Sequence, residues 1–247
     1  GTSVSSLSGA ISIGPVLKGK CIVDGFDIQH GTGVALLSPI AGKYGGAIWV
    51  TNSTVEIANC YLHDNGATDG SYGAGGGIYA TGSTVDITAT EIALCSAVQG
   101  GAIFLENCSG SISGSNIHNN TLSYGAHNSD GGGLYIANSS TVALSGNTID
   151  QNIADPALGN GLSGGGIYIK NTTSVTMDGD VVSNNDAGVS GGSGSGGGIL
   201  AQASGLTMNG VTLDGNRAKI FGGALSVDAA STLSMTGGAV TGNTALI

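Results

Sequence analysis

The amino-acid sequence predicts an all-β fold in which the chain winds into a β-solenoid of about eight coils, each with three short strands. Three observations lead to this prediction. A motif of two glycines followed by aliphatic and aromatic residues occurs seven times, about 30 residues apart on average. Each copy is followed by two segments in which apolar and polar residues alternate, as in half-buried strands. No stretch of the chain shows the periodicity of an amphipathic helix.

The glycine motif predicts the first strand of each coil. It occurs as Gly-Gly-Ala-Ile-Trp-Val at residues 45–50 and in related forms at 76–80, 100–105, 132–136, 165–169, 197–201 and 222–227. Because successive side chains of a strand point to opposite faces, the stacked copies should form two columns. The aliphatic column, which predicts the core, comprises Ile48, Ile78, Ile103, Leu134, Ile167, Ile199 and Leu225.

The opposite column is an aromatic stripe. It comprises Trp49, Tyr79, Phe104, Tyr135 and Tyr168, followed by Leu200 and Ser226. Two interpretations are open. The rings can stiffen their sheet, partly covered by the loop before each motif, since each aromatic pair contributes about 0.5–1.5 kcal/mol. Alternatively, they form an exposed interaction surface for sugar rings or for a neighbouring molecule.

The second and third segments of each repeat have a constant length. The first inward-facing residue of the second segment and the last residue of the third segment are always ten positions apart, as Val55 and Asn65 are. All variation in repeat length falls between the third segment and the next glycine motif. The final position holds Asn65, Cys95, Asn120, Asn152, Asn185, Asn216 and Asn243. Like strands of neighbouring coils lie about 4.8 Å apart. The carboxamides should therefore hydrogen-bond along the axis as an asparagine ladder.

We expect residues 1–247 to form one domain, with 1–19 as an irregular start and 20–247 as regular coils. Residues 21–31 align with 55–65, and Gly31 stands in the asparagine position. Upstream, Val4, Leu7, Ile11 and Ile13 alternate loosely and should begin the stack. No capping segment is apparent at either end. Because open solenoid ends are strand edges that favour pairing, we expect a longer native protein or ends that a neighbour buries.

Composition and charge exclude several classes of function. The formal net charge is −10 with only 6 Lys and Arg, which argues against nucleic acid and against anionic lipid surfaces. No apolar run reaches the length of about 20 residues that spans a membrane. The cysteines Cys21, Cys60, Cys95 and Cys108 include no C-x-x-C pair, which argues against a zinc site. Two disulfides remain open, but we favour small buried thiols. We expect no cofactor.

The glycine motif together with the later asparagine resembles the repeats of polymorphic outer-membrane proteins, which are autotransporter passengers. The elements that carry the resemblance are Gly45–Ile48, Gly100–Ile103 and Gly222–Leu225. More broadly, residues 20–245 resemble right-handed parallel β-helix proteins of the pectin-lyase-like fold. The resemblance implies a right-handed coil and a secreted or surface-displayed adhesin or structural protein. The resemblance also implies an alternative activity, polysaccharide cleavage. Enzymes of that fold use clustered Asp with Ca²⁺ and a basic residue, or a pair of Asp residues as acid and base.

Glu56 and Asp86 are the candidate catalytic pair. They occupy one outward position in adjacent coils, so their carboxylates should lie about 5 Å apart, as in a retaining glycosidase or a cation site. No third acid stands beside them, since Ser111 follows, and we favour two solvated acids. Asp178 and Asp180 could ligate a cation, although Asp-Gly pairs elsewhere in the chain form turns.

The histidines and the outward hydroxyls are weaker candidates. His63 and His118 share a position two coils apart, about 10 Å, which is too far for one metal ion. We expect His127 to be solvated in a loop. An ice-binding face would need a regular threonine array, and the outward column that begins at Ala58 is too irregular.

Five N-x-Ser/Thr sequons predict surface glycosylation sites or, equally, simple turns. They begin at Asn52, Asn107, Asn119, Asn138 and Asn171, and four of them fall in the turn after the glycine motif. Taken together, the sequence predicts a non-enzymatic, extracellular or cell-surface, structural or adhesive β-helix. Its expected partners are itself, stacked end to end into a filament or laterally, and surface polysaccharide. The alternative is a carbohydrate-binding or polysaccharide-cleaving lyase or hydrolase.

Overall fold

The computed structural model describes residues 11–15, 19–36, 41–69, 72–123, 129–154, 163–188 and 193–247. In these residues the only regular elements are β-strands, which stack into parallel sheets around a common axis. No helix there has the length and hydropathy of a membrane span. The predicted all-β solenoid is therefore confirmed.

Three eight-stranded sheets form the walls, so the stack has eight coils. Sheet 1 comprises Ile11–Ile13, Ile48–Thr51, Ile78–Thr81, Ile103–Glu106, Leu134–Ala137, Ile167–Lys170, Ile199–Gln202 and Leu225–Val227. Sheet 2 comprises Cys21–Asp24, Thr54–Ala58, Thr84–Thr88, Ser109–Ser113, Thr141–Ser145, Ser174–Asp178, Gly205–Asn209 and Thr232–Thr236. Sheet 3 comprises Asp27–Gln29, Tyr61–His63, Glu91–Ala93, Asn116–His118, Thr148–Asp150, Val181–Ser183, Thr212–Asp214 and Ala239–Thr241.

A fourth parallel sheet, absent from the sequence prediction, consists of seven strands of two residues each. Sheet 4 comprises Gly66–Ala67, Ser96–Ala97, Thr121–Leu122, Ile153–Ala154, Asp186–Ala187, Arg217–Ala218 and Thr244–Ala245. Two residues are too few to show an alternating pattern, which is why the sequence predicted three strands per coil. Outside the stack, Val34–Leu36, Gly42–Tyr44 and Gly73–Ala74 form a small mixed sheet.

The strand register agrees with the alignment of the repeats. Ile48 pairs with Ile78 and Trp49 with Tyr79, and the same correspondence continues to the last coil. In addition, Ile11 pairs with Ile48, so the segment 1–19 contributes one regular strand where an irregular start was expected. Val4 and Leu7 lie outside the described residues.

The aliphatic columns fill the interior. Ile48, Ile78 and Ile103 are fully buried, and each stacks directly on its equivalent in the next coil. Burying one such side chain contributes about 1.5–3 kcal/mol. Since every coil repeats the same inward positions, the core runs without interruption along the axis.

The asparagine ladder is confirmed. From Asn120 onward, the Nδ2 of one asparagine donates to the Oδ1 of the asparagine in the next coil, at 2.9 Å from Asn120 to Asn152 and 3.0 Å from Asn152 to Asn185. The ladder continues through Asn216 to Asn243. At Cys95 the backbone N–H still donates to the Oδ1 of Asn120, at 2.9 Å. The Cys95 thiol has no Oδ1 to offer Asn65, whose Nδ2 donates instead to the Cys95 Sγ at 3.9 Å.

Two further ladders satisfy backbone N–H groups at other corners of the coil, where the chain turns out of the sheets. Between sheets 1 and 2, serine hydroxyls accept the N–H of the preceding coil, as from Cys108 to Ser140 at 3.1 Å. Between sheets 2 and 3, the N–H of Ser115 donates to the Oδ1 of Asn147, and that of Asn147 to the Oδ1 of Asp180. The sequence did not reveal these columns because they mix Ser, Thr, Cys, Asn and Asp.

The cysteines are free thiols, as we favoured from the sequence. Cys60, Cys95 and Cys108 are buried among these corner positions, and Cys21 is half-buried. Burial raises the pKa of the Cys95 thiol to about 12, so this thiol stays protonated at neutral pH.

Candidate functional site

The aromatic stripe is buried, so it does not form the exposed interaction surface that the sequence left open. Tyr79, Phe104, Tyr135 and Tyr168 are only 3–5% exposed, and Trp49 is half-buried. These rings belong to a second hydrophobic cluster on the outer side of sheet 1, distinct from the solenoid interior. The scaffold interpretation is the one that agrees with this burial. The sequence could not decide between the two interpretations, because the residue pattern of a strand does not show what covers the outer face of its sheet.

The rings of the stripe contact one another from coil to coil. The centroids of Tyr79 and Phe104 lie 5.4 Å apart and those of Tyr135 and Tyr168 lie 4.8 Å apart, both pairs stacked. Phe104 meets Tyr135 edge to face at 4.7 Å. At the N-terminal end, Tyr44 packs edge-on against Tyr79 at 4.8 Å. Burial raises the pKa of the Tyr135 and Tyr168 hydroxyls, which are neutral at physiological pH.

Substituting Tyr135 by leucine should destabilise the fold by about 2 kcal/mol, because it removes ring contacts to both Phe104 and Tyr168. Thermal unfolding followed by circular dichroism measures the change. Tyr61→Leu is the matched control, since Tyr61 lies on the outer face of sheet 3 and is 36% exposed. Equal Tm values for the two variants would contradict a scaffold role for the stripe.

Asp130 is a buried carboxylate beside this cluster. It is 6% exposed, and its Oδ1 accepts the backbone N–H of Ser163 in the next coil at 3.2 Å. Burial raises its pKa to about 7, against smaller opposing effects of the Ser163 N–H and the Lys170 charge. The carboxyl group therefore ties two neighbouring coils together and titrates near neutral pH.

The stability of the protein should fall as pH rises through the range in which Asp130 ionises. Its pKa of about 7 in the folded chain exceeds the ordinary aspartate pKa of 3.8, so the folded chain binds more protons than the unfolded chain between these two pH values. The stabilisation is complete below pH ~4 and is lost by pH ~8. Relative to Asp130→Asn, the wild-type Tm should drop by about 5 °C between pH 5 and pH 8. Asp24→Asn, at an exposed carboxylate, should keep the wild-type profile; parallel profiles for Asp130→Asn and wild type would refute the assignment.

Glu56 and Asp86 lie at paired positions, as predicted, but they are bridged by a lysine. The Nζ of Lys20 is 2.8 Å from Glu56 Oε2 and 3.8 Å from Asp86 Oδ2. Ser111 donates to the other oxygen of Asp86 at 2.9 Å. Both acids are about one-third exposed, so this is a solvated surface cluster in which one cation offsets the carboxylates.

The histidines contact different carboxylates. The ring of His63 lies between Asp27 and Asp64, at 3.0 and 2.6 Å, and stacks on Tyr61. His118 instead contacts Glu91, at 3.0 Å. His127 lies outside the described residues. Within the described part of the chain, no three His, Cys, Asp or Glu side chains are arranged to hold a metal ion.

Asp178 and Asp180 do not converge on a common point. Asp180 is buried in the ladder between sheets 2 and 3, where burial raises its pKa and Asn147 donates to it. Asp178 is exposed and accepts a hydrogen bond from Asn209 at 2.8 Å. The cation site proposed from their spacing is therefore not supported by their geometry.

All five sequon asparagines are exposed. Each also has a positive φ, as Asn52 does at 46° and Asn171 at 53°, a conformation that asparagine adopts more readily than most residues. Asn52 lines a shallow polar pocket of about 210 Å³ with Ser53, Thr54, Gly82 and Thr84. The turn requirement thus accounts for these asparagines, and glycosylation stays a prediction.

The C-terminal coil exposes side chains that are interior elsewhere in the stack. Leu233 and Met235 are 42% exposed and Val240 is 57% exposed, whereas the residues at the same positions one coil earlier are at most 2% exposed. Leu246 and Ile247, which follow the last strand of sheet 4, are 48% and 80% exposed. We call these five residues the C-terminal face. Sequence alone did not single it out, because its residues follow the same repeat pattern as the buried coils.

The backbone of this coil is also open. The last strands of sheets 1 to 4 each have a neighbour on one side only. Asn243 is the last residue of the asparagine ladder, and its Nδ2 donates to Leu213 O of the preceding coil at 2.8 Å. The C-terminal face therefore combines exposed aliphatic side chains with strand edges, the features that favour addition of a further β layer.

The N-terminal end differs from this arrangement. Its inward residues Ile13, Val23 and Ile28 are only 6–8% exposed. The first strands of sheets 1 to 3 have a neighbour on one side only, as expected for an open end, but the core side chains of this coil are covered. Among the described residues, side chains at core positions that are more than 40% exposed lie in the C-terminal coil.

Comparisons with known proteins identify the repeat. A family model described as a right handed beta helix region matches residues 19–245. No curated protein and no solved structure matches the chain.

Proposed function

The chain belongs to the right-handed β-helix family, and from this premise we propose that it is a non-enzymatic structural module that associates end-on, through its C-terminal face, with a second copy. The fold supports a structural or binding scaffold in general. The observation that carries the finer proposal is the exposure of Leu233, Met235 and Val240, which occupy core positions of the repeat.

A second copy is the proposed occupant because of the charge distribution. The chain carries a net charge of −10, which opposes contact between copies over most of the surface. The segment 229–247, however, contains no charged residue. Two such faces therefore bring no charged side chain into contact.

We further propose an extracellular or cell-surface location and an adhesive role. The resemblance to autotransporter passenger repeats and the five exposed sequons support this part of the proposal. The aromatic stripe does not contribute a sugar platform, since its rings are buried. Any contact with surface polysaccharide has to use other outer faces of the sheets.

Charged substitutions on the C-terminal face should abolish self-association. Leu233→Asp or Ile247→Asp places a carboxylate where the partner would exclude water, which should weaken association at least about tenfold. Sedimentation velocity over a concentration series measures the effect. Leu94→Asp is the matched control, since Leu94 is 54% exposed on the side of the stack.

Ile247→Asp is included because Ile247 is 80% exposed and its replacement should leave the fold intact. Circular dichroism verifies that each variant is folded. A wild-type chain that remains monomeric at high concentration would overturn the proposal, as would association that Leu94→Asp weakens as much as the face variants do.

The rival function is polysaccharide cleavage at Glu56 and Asp86. The pairing of these two positions in adjacent coils favours catalysis there. The contact of Lys20 with both carboxylates argues against catalysis, because the lysine charge offsets them. The test is the release of new chain ends from acidic and neutral polysaccharides. We expect none from the wild type; activity that disappears in Glu56→Gln and Asp86→Asn would establish the rival.

A further inference from the structure

We infer that Asn52, Asn107 and Asn171 carry N-linked glycans in a row along one edge of the stack, and that Asn138, which lies in the same row, stays unmodified. The row follows the corner at which sheet 1 turns into sheet 2. Because glycans are bulky and hydrophilic, they would keep this edge solvated and closed to protein contact. The inference rests on the extracellular location proposed above and is independent of self-association.

The sequon asparagines of this corner belong to one column along the axis. At each position the backbone N–H donates to the residue that precedes the next position, as Asn138 does to Lys170 O at 3.0 Å. From coil to coil the column reads Asn52, Gly82, Asn107, Asn138 and Asn171. Asn52, Asn107 and Asn171 therefore stand in alternate coils, about 10 Å apart. Asn138 instead has a sequon about 4.8 Å away on either side.

This spacing limits how many positions of the column a glycan can occupy. The first sugar ring with its N-acetyl group is wider than the ~4.8 Å that separates adjacent coils. Two glycans on adjacent coils would therefore overlap, whereas glycans on every second coil fit. Gly82 separates Asn52 from Asn107 in this way, and an unmodified Asn138 separates Asn107 from Asn171.

The contacts of Asn138 decide that it is the unmodified member. Its Nδ2, the atom that would bond to the sugar, donates to Glu106 Oε1 at 2.7 Å. The hydroxyl of its sequon belongs to Ser140, which is fully buried and accepts the backbone N–H of Cys108 at 3.1 Å. Because this hydroxyl is part of the acceptor signal, the Asn138 sequon is hidden in the folded chain.

The other three sequons of the column are open. Their hydroxyl residues, Thr54, Ser109 and Thr173, are all exposed. Among the described residues, the carboxamides of Asn107 and Asn171 have no hydrogen-bond partner. The carboxamide of Asn52 donates to the neighbouring hydroxyl of Thr51 at 3.2 Å, in an exposed contact that a sugar can displace.

The fifth sequon, at Asn119, lies apart from this column in the turn between sheets 3 and 4. The residues at the same turn in the adjacent coils are Leu94 and Gln151, so no neighbouring glycan restricts it. Its hydroxyl residue, Thr121, is exposed. Asn119 therefore serves as an internal standard for access to the glycosylation machinery, and a folded chain holds at most four glycans.

Glycan mapping tests the inference on the full chain, secreted from mammalian cells behind a signal peptide. Peptide mass spectrometry of the folded, secreted chain should find glycans at Asn52, Asn107 and Asn171 and an unmodified Asn138. After each glycan is trimmed to its first sugar, the intact mass should show at most four sugars per chain. A glycan on Asn138, or none on the other three members of the column, would overturn the inference.

Gly82→Asn gives the sharper test, because with Ser83 and Thr84 it creates a sequon in the coil between Asn52 and Asn107. Asparagine tolerates the φ of 59° at this position, and an added Cβ would approach only the flexible Asn52 side chain. We expect position 82 to be modified only on chains that lack a sugar at both neighbours, so the maximum should stay at four. Chains with five sugars would refute the spacing argument.

The outcomes of this test are separate from those of the proposed function. A chain that remains monomeric in sedimentation velocity would overturn end-on association without altering the glycan pattern. A wrong glycan pattern would overturn the inference and leave end-on association intact.

Discussion

Replacing Gly165 by alanine is expected to prevent correct folding, with a cost of at least about 5 kcal/mol. Gly165 is the first glycine of the motif at 165–169, where sheet 1 begins beside sheet 4. An added Cβ would lie 2.6 Å from Asp186 O and would also overlap Gly197 O in the next coil. Both obstacles are backbone atoms held by the stack, so neither can move without breaking the register. Soluble expression and circular dichroism give the readout.

Gly66→Ala is the matched control for this substitution. Gly66 also lies where coils approach one another, in the first strand of sheet 4, but an added Cβ would meet Ser96 no closer than 3.6 Å. This variant should fold with a Tm within a few degrees of wild type. A soluble Gly165→Ala variant of unchanged Tm would show that the coils are spaced more widely than the structure indicates.

Removing one rung of the asparagine ladder should have the next largest effect. Asn152→Ala deletes the donor to Asn185 and Ile117 and the acceptor for Asn120. The backbone N–H of Asn120, which donates to Asn152 Oδ1 at 3.1 Å, is left buried without that acceptor. We expect a loss of about 4 kcal/mol, because an orphaned buried donor costs about 1–3 kcal/mol and the deleted hydrogen bonds add to it.

Thermal unfolding measures this loss as a Tm decrease of about 8–16 °C. Asn116→Ala is the control, since Asn116 is an exposed asparagine on the outer face of sheet 3. It should change the Tm by less than about 2 °C. A ladder variant as stable as this control would mean that water replaces the carboxamide at no cost.

Much of the fold was predictable because the repeat fixes it. The constant spacing from Val55 to Asn65 and its equivalents sets the register of sheets 2 and 3. The glycine motif likewise fixes sheet 1, where Ile48 stacks on Ile78 as aligned. Since a one-residue slip would turn every core side chain outward, the pattern leaves one register available.

The candidate sites were harder to predict, because they depend on contacts that the repeat pattern does not encode. Tyr135 and Tyr168 follow the pattern of an outward column, yet they are buried. Leu233 has the same pattern as its buried equivalent one coil earlier, yet it is exposed. Lys20 precedes its coil and reaches Glu56 in the next one, a contact that the alignment of the repeats does not contain.

The central claim is that copies of the chain meet end to end, and small-angle X-ray scattering tests it most directly. Measured over a concentration series, the longest dimension should rise to about twice that of the monomer while the cross-section of the rod stays constant. Leu94→Asp should behave like wild type, and Ile247→Asp should keep the monomer's length. An increase in cross-section with concentration would reveal lateral association, and a length that never changes would show that the C-terminal face binds no second copy; either result would contradict the account.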